Sequence, residues 1–264
     1  MTSATPRYSR RKDEILLRVL AQRVVKIKDL AEEFAVSEMT IRREIDWLAE
    51  QGQIERMHGG ARIRQVANEE LSYGFRAEVN ADAKSRIAGR ALSLVQDGDT
   101  VGLDASTTAL ALARVLPSKK VHAILTGLDA IDAFNHSGLD LYVCGGFYHA
   151  KARSFVGTGA ITALERLNPD KVFFSCHGYT VESGFMDPNP QEADTKRALI
   201  RSGAMKIALV DASKFGKRAL ATTARTEEVD LLVTDQELSL EYRTHFERCG
   251  VEVIVAPPVI QAYN

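Results

Sequence analysis

The segment Ile27-Lys28-Asp29-Leu30-Ala31-Glu32-Glu33-Phe34-Ala35-Val36-Ser37-Glu38-Met39-Thr40-Ile41-Arg42-Arg43-Glu44-Ile45-Asp46-Trp47-Leu48 constrains this chain more than any other. One apolar-periodic run ends at a tight turn and a second begins at once, which is the pattern of a helix-turn-helix. Ser37 stands where its hydroxyl can accept a backbone N–H and cap the second helix. From there Ile41, Ile45 and Leu48 recur at i, i+4 and i+7 and form one buried stripe. Met39, Thr40, Arg42 and Arg43 are left facing outward near the helix start. In this motif the start of the second helix enters the major groove of DNA. There arginine bonds guanine edges bidentately, and threonine meets a base edge or a phosphate.

The following residues fit the same reading. Gln53–Met57 and Ala61–Arg64 are short strand-like runs on either side of His58-Gly59-Gly60, so a β-wing is expected. Arg56, His58, Arg62 and Arg64 put phosphate-seeking groups along it, and such contacts set register without reading sequence. The plain alternative, a small helical domain with a solvated charged face, does not account for cap, stripe, outward arginines and wing together.

A chain of 264 residues with 45% apolar content has room for one large α/β domain beside a small module. Residues 1–65 carry 13 Lys and Arg against 10 Asp and Glu, while the whole chain has a net charge of −1. So weak a basic excess makes affinity for DNA depend on dimer geometry as much as on bulk electrostatics. Cys144, Cys176 and Cys249 are odd in number, far apart and set in apolar runs, which suits buried thiols in a reducing cytosol better than a disulfide framework or a zinc site. No run approaches the ~20 apolar residues of a membrane span. The polar stretch Met1–Lys12 has no signal-peptide core, so a cytoplasmic protein is expected.

The expected order along the chain is a winged helix-turn-helix over residues 9–64, a polar linker over 65–82, in part helical, and a ligand-binding α/β domain over 83–256. The first eight residues are read as disordered, and a first helix over Arg10–Gln22 turns Ile15, Leu16, Val19 and Leu20 inward. From Ala83 onward, helical periods alternate with short β-branched runs. Strands are expected at Thr100–Leu103, Val121–Thr126, Leu141–Cys144, Lys171–Cys176, Lys206–Val210, Leu231–Thr234 and Val251–Val255. Helices are expected between them: one through Ile87, Ala91 and Leu94, then Thr107–Leu116, Leu128–Asn135, Gly157–Leu167, Gln191–Ser202 and Leu240–Arg248. Such alternation implies a Rossmann-like, mainly parallel sheet with helices on both faces, whose ligands lie at the carboxyl ends of the strands.

Those ends carry polar groups. Asp104-Ala105-Ser106-Thr107-Thr108 closes one strand and opens a helix, so hydroxyls and backbone N–H groups converge at a positive helix terminus. An anion site and simple capping both fit that motif. Thr126-Gly127, Gly145-Gly146, His177-Gly178 and Asp211-Ala212-Ser213-Lys214 close the next strands. Asp104, Asp211, Lys196 and Lys214 suit sugar hydroxyls and a phosphate, although Lys196 fits a solvated helix position equally well. His177 is expected to titrate near neutrality and to serve as a hydrogen-bonding ligand or a turn residue rather than a general base. No histidine spacing suggests a metal, and no cofactor is indicated.

With these residues in view, the chain resembles the DeoR family of bacterial sugar-metabolism repressors from about Arg10 to Asp235. The likeness is carried by Ile27–Ala31, Thr40–Ile45 and His58-Gly59-Gly60-Ala61 in the first domain. In the second it rests on Gly98–Thr108, Gly145-Gly146, Glu192 with Lys196, and Asp211–Gly216. The resemblance implies a sensor related to sugar-phosphate isomerases and CoA transferases, a phosphorylated sugar as effector, a double-stranded operator as target, and a homodimer or homotetramer. Ser106, Gly127 and His177 stand where the family usually has Gly, Asn and Asp, so the identity of the effector does not follow from the likeness.

The leading expectation is therefore a repressor of sugar-catabolism genes controlled by a phosphosugar. The alternative is an isomerase-like enzyme tethered to DNA, and it lacks an evident carboxylate and base pair. A redox sensor using Cys144 or Cys176 would need a nearby cation or helix N-terminus to lower the thiol pKa.

Overall fold

Ile15, Leu16 and Val19 line the inner side of α1 (Arg7–Gln22) and are buried as their spacing requires. The computed structural model describes residues 7–22, 24–50, 54–63, 73–135 and 137–257. The chain divides into two compact units, Met1–Leu71 and Ser72–Asn264. The expected disorder of residues 1–8 falls outside the described residues up to position 6, and residues 7 and 8 are helical. The side chain of Leu20 also lies outside what is described.

In the first unit, α1 is followed by β1 (Val24–Lys26), α2 (Ile27–Glu33), α3 (Glu38–Glu50), β2 (Ile54–Met57) and β3 (Gly60–Ile63). The turn between α2 and α3 passes through Ala35 at φ 51, a left-handed conformation that lets the chain reverse tightly. Ile41, Ile45 and Leu48 on α3 pack inward together with Leu30 of α2 and Ile54 of β2. The wing is an antiparallel sheet in the order β1-β3-β2. Its first strand is too short to show a period in the sequence, and Gly60, expected in the turn, pairs with both Met57 and Lys26.

The second unit begins earlier than expected. Residues 73–82, read as linker, form α4 (Tyr73–Glu78) and the start of α5 (Ala81–Leu92), with Tyr73 buried in the unit's core. The rest of the expected linker, 65–72, lies outside the described residues. A seven-stranded sheet runs in the order β15-β14-β12-β9-β4-β5-β6. Its strands are β4 (Thr100–Leu103), β5 (His122–Leu125), β6 (Leu141–Val143), β9 (Lys171–Phe174), β12 (Met205–Leu209), β14 (Leu231–Thr234) and β15 (Glu252–Val255), and every pairing is parallel. Successive residues such as Val172, Phe173 and Phe174 are all buried, because helices cover both faces. On one face α5, α6 (Thr107–Val115) and α7 (Leu128–Ala133) contribute to one core. On the other face α8 (Thr158–Leu164), α9 (Pro190–Ser202) and α10 (Leu240–Arg248) contribute to the second.

Two antiparallel pieces are additions to the expected alternation. β7 (Phe147–His149) pairs with β8 (Ser154–Val156), and β11 (Gly184–Asp187) lies between β10 (Gly178–Thr180) and β13 (Ala221–Ala224). The chain runs outward from β4 through β5 to β6, and in the opposite direction from β9 through β12 and β14 to β15. The order therefore reverses between β4 and β9, and in sheets of this kind that reversal opens a crevice at the carboxyl ends of the two strands. No described helix is long and apolar enough to cross a membrane.

Candidate functional site

Ser37 Oγ accepts the backbone N–H of Thr40 at 3.2 Å and lies 2.9 Å from the Thr40 hydroxyl, so it caps α3. Beyond the cap, Met39, Arg42 and Arg43 are exposed and Thr40 is half-buried. Arg42 reaches back to Glu38 at 3.5 Å. On the wing, Arg56 pairs with Asp46 of α3 at 2.8 Å and Arg62 with its cross-strand neighbour Glu55 at 2.9 Å. Arg56, Arg62 and Glu55 are exposed and Asp46 is half-buried, and ion pairs at the surface are weak enough to exchange for a phosphate. His58 is exposed in the wing turn, whereas Arg64 lies outside the described residues. The helix is held from behind by Arg11 of α1, whose Nη2 lies 2.6 Å from the fully buried carboxylate of Glu44. Lys12 Nζ sits 3.7 Å from the centre of the Trp47 ring, a second link between α1 and α3.

In the second unit a polar cavity, partly open to solvent, occupies the crevice between the ends of β4 and β9. Eight of the eleven residues expected at an effector site line it: Asp104, Ser106, Thr107, Thr108, Thr126, His177, Lys196 and Lys214. Gly145, Gly146 and Asp211 do not. A side chain on Gly146, which has φ 139, would run into the Val156 carbonyl at 2.7 Å, so this glycine serves the approach of β8. Asp211 caps the short turn Ala212–Lys214 by accepting the Ser213 N–H at 3.1 Å.

The floor is an ionic triad. Lys196 Nζ lies 2.9 Å from Asp104 Oδ2 and 2.7 Å from Asp187 Oδ2, and it donates to the Ser175 carbonyl at 2.7 Å. Burial opposes the charge on Lys196, yet the two carboxylates outweigh it and hold its pKa above the ordinary lysine value. Burial likewise disfavours ionised Asp187, but Lys196 and the Thr223 hydroxyl, at 2.9 Å, keep it below the usual carboxylate range. Asp104 also accepts from the Ser106 hydroxyl at 2.6 Å and from the Ser175 N–H at 3.2 Å. The Ser106 hydroxyl in turn accepts the Ala109 N–H at 3.1 Å, so the loop 104–108 is both a helix cap and a cavity wall. Gly127 allows this loop to close in, since a Cβ there would stand 2.9 Å from Ala105 Cα.

His177 departs from the expectation. Burial, together with the nearby charge of Lys214, pushes its pKa down to about 4 rather than near neutrality. It faces the cavity as a neutral imidazole at physiological pH. Cys144 and Cys176 are buried free thiols whose pKa values burial pushes up to about 11 and about 12. Both remain protonated at neutral pH.

The structure adds lining residues that sequence reasoning did not single out for the site. Ser154, Phe155 and Val156 come from β8, Ser175 and Cys176 from the end of β9, and Asp187 from β11. Glu192 and Thr195 come from α9, and Arg76 comes from α4. The Ser154 hydroxyl donates to Glu192 at 2.7 Å, and His149 Nδ1 stands 3.8 Å from the same carboxylate oxygen. Among the described residues, no group of three or more His, Cys, Asp or Glu could hold a metal ion.

A capped, outward-facing helix with a wing, followed by a doubly wound α/β unit with a cavity at its strand-order reversal, defines a two-unit DNA-binding protein with a polar pocket. The chain belongs to the DeoR family of transcriptional regulators: residues 11–66 match the DeoR-like helix-turn-helix domain and residues 79–236 the DeoR C-terminal sensor domain. It is 34% identical to the transcriptional repressor AccR of Agrobacterium fabrum, over 86% of this chain and 89% of that protein. It is 29% identical to the L-fucose operon activator of Haemophilus influenzae, over 92% of this chain and 99% of that protein. Among solved structures it is similar to ribose 5-phosphate isomerase A of Methanocaldococcus jannaschii, with a TM-score of 0.40 and 20% identity over 53% of this chain and 56% of that one.

Proposed function

We propose that this regulator is a cytoplasmic repressor of sugar-catabolism genes, a homodimer or homotetramer that reads a two-fold operator through α3 and responds to a phosphorylated sugar in the cavity. The observation that carries the proposal is the make-up of the cavity. Its floor charge, Lys196, is already neutralised by Asp104 and Asp187. Two further cations, Arg76 and Lys214, line the cavity together with the first turn of α6, where an anion is stabilised by the helix dipole and by charge-assisted hydrogen bonds. Hydroxyls and carboxylates on the same walls, among them Thr126, Ser154 and Glu192, suit a polyol. Asp104 and Asp187 are both held by Lys196, which favours a binding site over a reaction site with a free carboxylate base. Control of DNA binding requires the sugar to bind the two DNA-binding states unequally.

The test is binding of the purified protein to its own upstream DNA while hexose and pentose monophosphates, glycerol phosphate, inorganic phosphate and free sugars are titrated, with turnover followed in the same samples. Sequence-specific binding altered by one phosphosugar without turnover is the expected result. Turnover without sequence-specific binding would replace this reading with that of an enzyme.

A further inference from the structure

One wall of the cavity comes from outside the sheet. Arg76 sits on α4, a helix that begins at the second residue of the second unit, directly after the chain leaves the DNA-binding unit. Its charge is close enough to His177 to disfavour protonation of that imidazole, as Lys214 does from the neighbouring wall. Arg76 is thus a cation of the cavity carried by the element closest in sequence to the helix-turn-helix.

The same segment is fastened to both loops that frame the cavity. The hydroxyl of Thr107, the first residue of α6, donates to the Arg76 carbonyl at 3.3 Å. Asn80, held in the left-handed conformation at φ 54, donates from its side chain to Asp211 Oδ1 at 3.0 Å and to Ser213 Oγ at 3.1 Å, next to Lys214. The buried ammonium of Lys84 donates to the carbonyls of Arg76 and Val79 and so ties the end of α4 to α5. Burial, with Lys214 nearby, pushes the Lys84 pKa down to about 8. Tyr73 anchors the start of α4 in the core, with its ring centre 5.4 Å from the Arg76 guanidinium. An anion gripped by the loop 104–108, by Lys214 and by Arg76 would therefore pull on α4 from three directions, two of them through hydrogen bonds already in place.

We infer that Arg76 is an effector contact and that the segment Tyr73–Asn80 is the route by which occupancy of the cavity reaches the DNA-binding unit. This rests on the reading of the cavity as an anionic effector site. A guanidinium recognises a phosphate bidentately, and removing such a partner costs more than the loss of one neutral hydrogen bond.

The experiment uses the full-length chain as wild type, Arg76→Ala, Arg76→Lys and Asn80→Ala. Calorimetry with inorganic phosphate and the sugar monophosphates measures binding, and fluorescence anisotropy measures operator affinity with and without saturating ligand. If no compound binds the wild type, the reading of the cavity fails and the route fails with it. Given a compound that binds, Arg76→Ala is expected to weaken it by about tenfold, with Arg76→Lys intermediate. Asn80→Ala is expected to bind it within about threefold of wild type and yet to lose most of the ligand's effect on operator affinity. Wild-type binding in Arg76→Ala would remove Arg76 as a contact. Full operator response in both alanine variants at saturation would overturn the segment as the route.

Discussion

Arg11 Nε reaches both carboxylate oxygens of Glu44, at 3.0 and 2.9 Å, and so locks α1 against the hidden side of α3, the second helix of the helix-turn-helix. Glu44 is fully buried, whereas Arg11 keeps about a quarter of its side chain in solvent. Arg11→Ala would strand a buried carboxylate and should destabilise the first unit by about 2–3 kcal/mol, less than the ~3–5 of a fully buried pair. Thermal unfolding of the full-length chain reads this directly, and an unchanged first transition would show that the pair is not needed.

Arg42 is exposed on α3 and pairs with Glu38 at 3.5 Å. If it reads a base, Arg42→Ala should relax preference at one operator position by roughly 1–3 kcal/mol and leave the other positions alone. Anisotropy against a set of single-base operator variants separates this from a uniform loss, which would make Arg42 a phosphate contact.

Lys196 holds Asp104 and Asp187 together under the cavity. Lys196→Met would leave two buried carboxylates facing each other, and a loss of about 3–5 kcal/mol is expected in denaturant unfolding of the second unit. A loss under ~1 kcal/mol would contradict the role of the triad as a structural floor.

His177 carries a pKa of about 4 against an ordinary 6.5. Because the folded state resists a proton that the unfolded chain accepts, its contribution to stability is constant above about 6.5 and falls as pH drops toward about 4. Imidazole NMR should show a neutral ring at pH 6, and a bound dianion should move its titration upward. A titration indifferent to saturating ligand would separate His177 from the anion.

Cys144→Ser should leave ligand response and DNA binding as in wild type, since burial pushes that thiol up to about 11 and leaves almost no thiolate at neutral pH. Loss of response in the serine variant under reducing conditions would restore the redox reading.

Much of this architecture was legible because its signals are local. Ser37 and the stripe Ile41, Ile45, Leu48 announce α3 within a dozen residues, and the doubly buried runs such as Val172–Phe174 announce parallel strands. The missing parts are those whose identity depends on distant partners. Val24–Lys26 becomes a strand only by pairing with Gly60–Arg62. The strands β7, β8, β10, β11 and β13 are three or four residues long, too short to show alternation, yet β8 and β11 supply Ser154 and Asp187. Arg76 sits in a tract whose polar composition reads as linker, where the aromatics Tyr73 and Phe75 just before it are the hint of a packed helix. Conversely, Asp211 and Gly146 looked like ligand groups because capping and close packing favour the same residue types.

The hydrogen bond from the Ser175 N–H to Asp104 Oδ2 joins residues 71 positions apart, across the two central strands. The pocket floor cannot exist until β4 and β9 have found each other, a long-range step that slows assembly of such sheets. A small molecule that needs this floor has no binding partner in a half-assembled chain, so its binding draws the equilibrium toward completed molecules. Nutrient supply would then govern how many copies of the protein survive in the cell as well as how each one behaves on its operator.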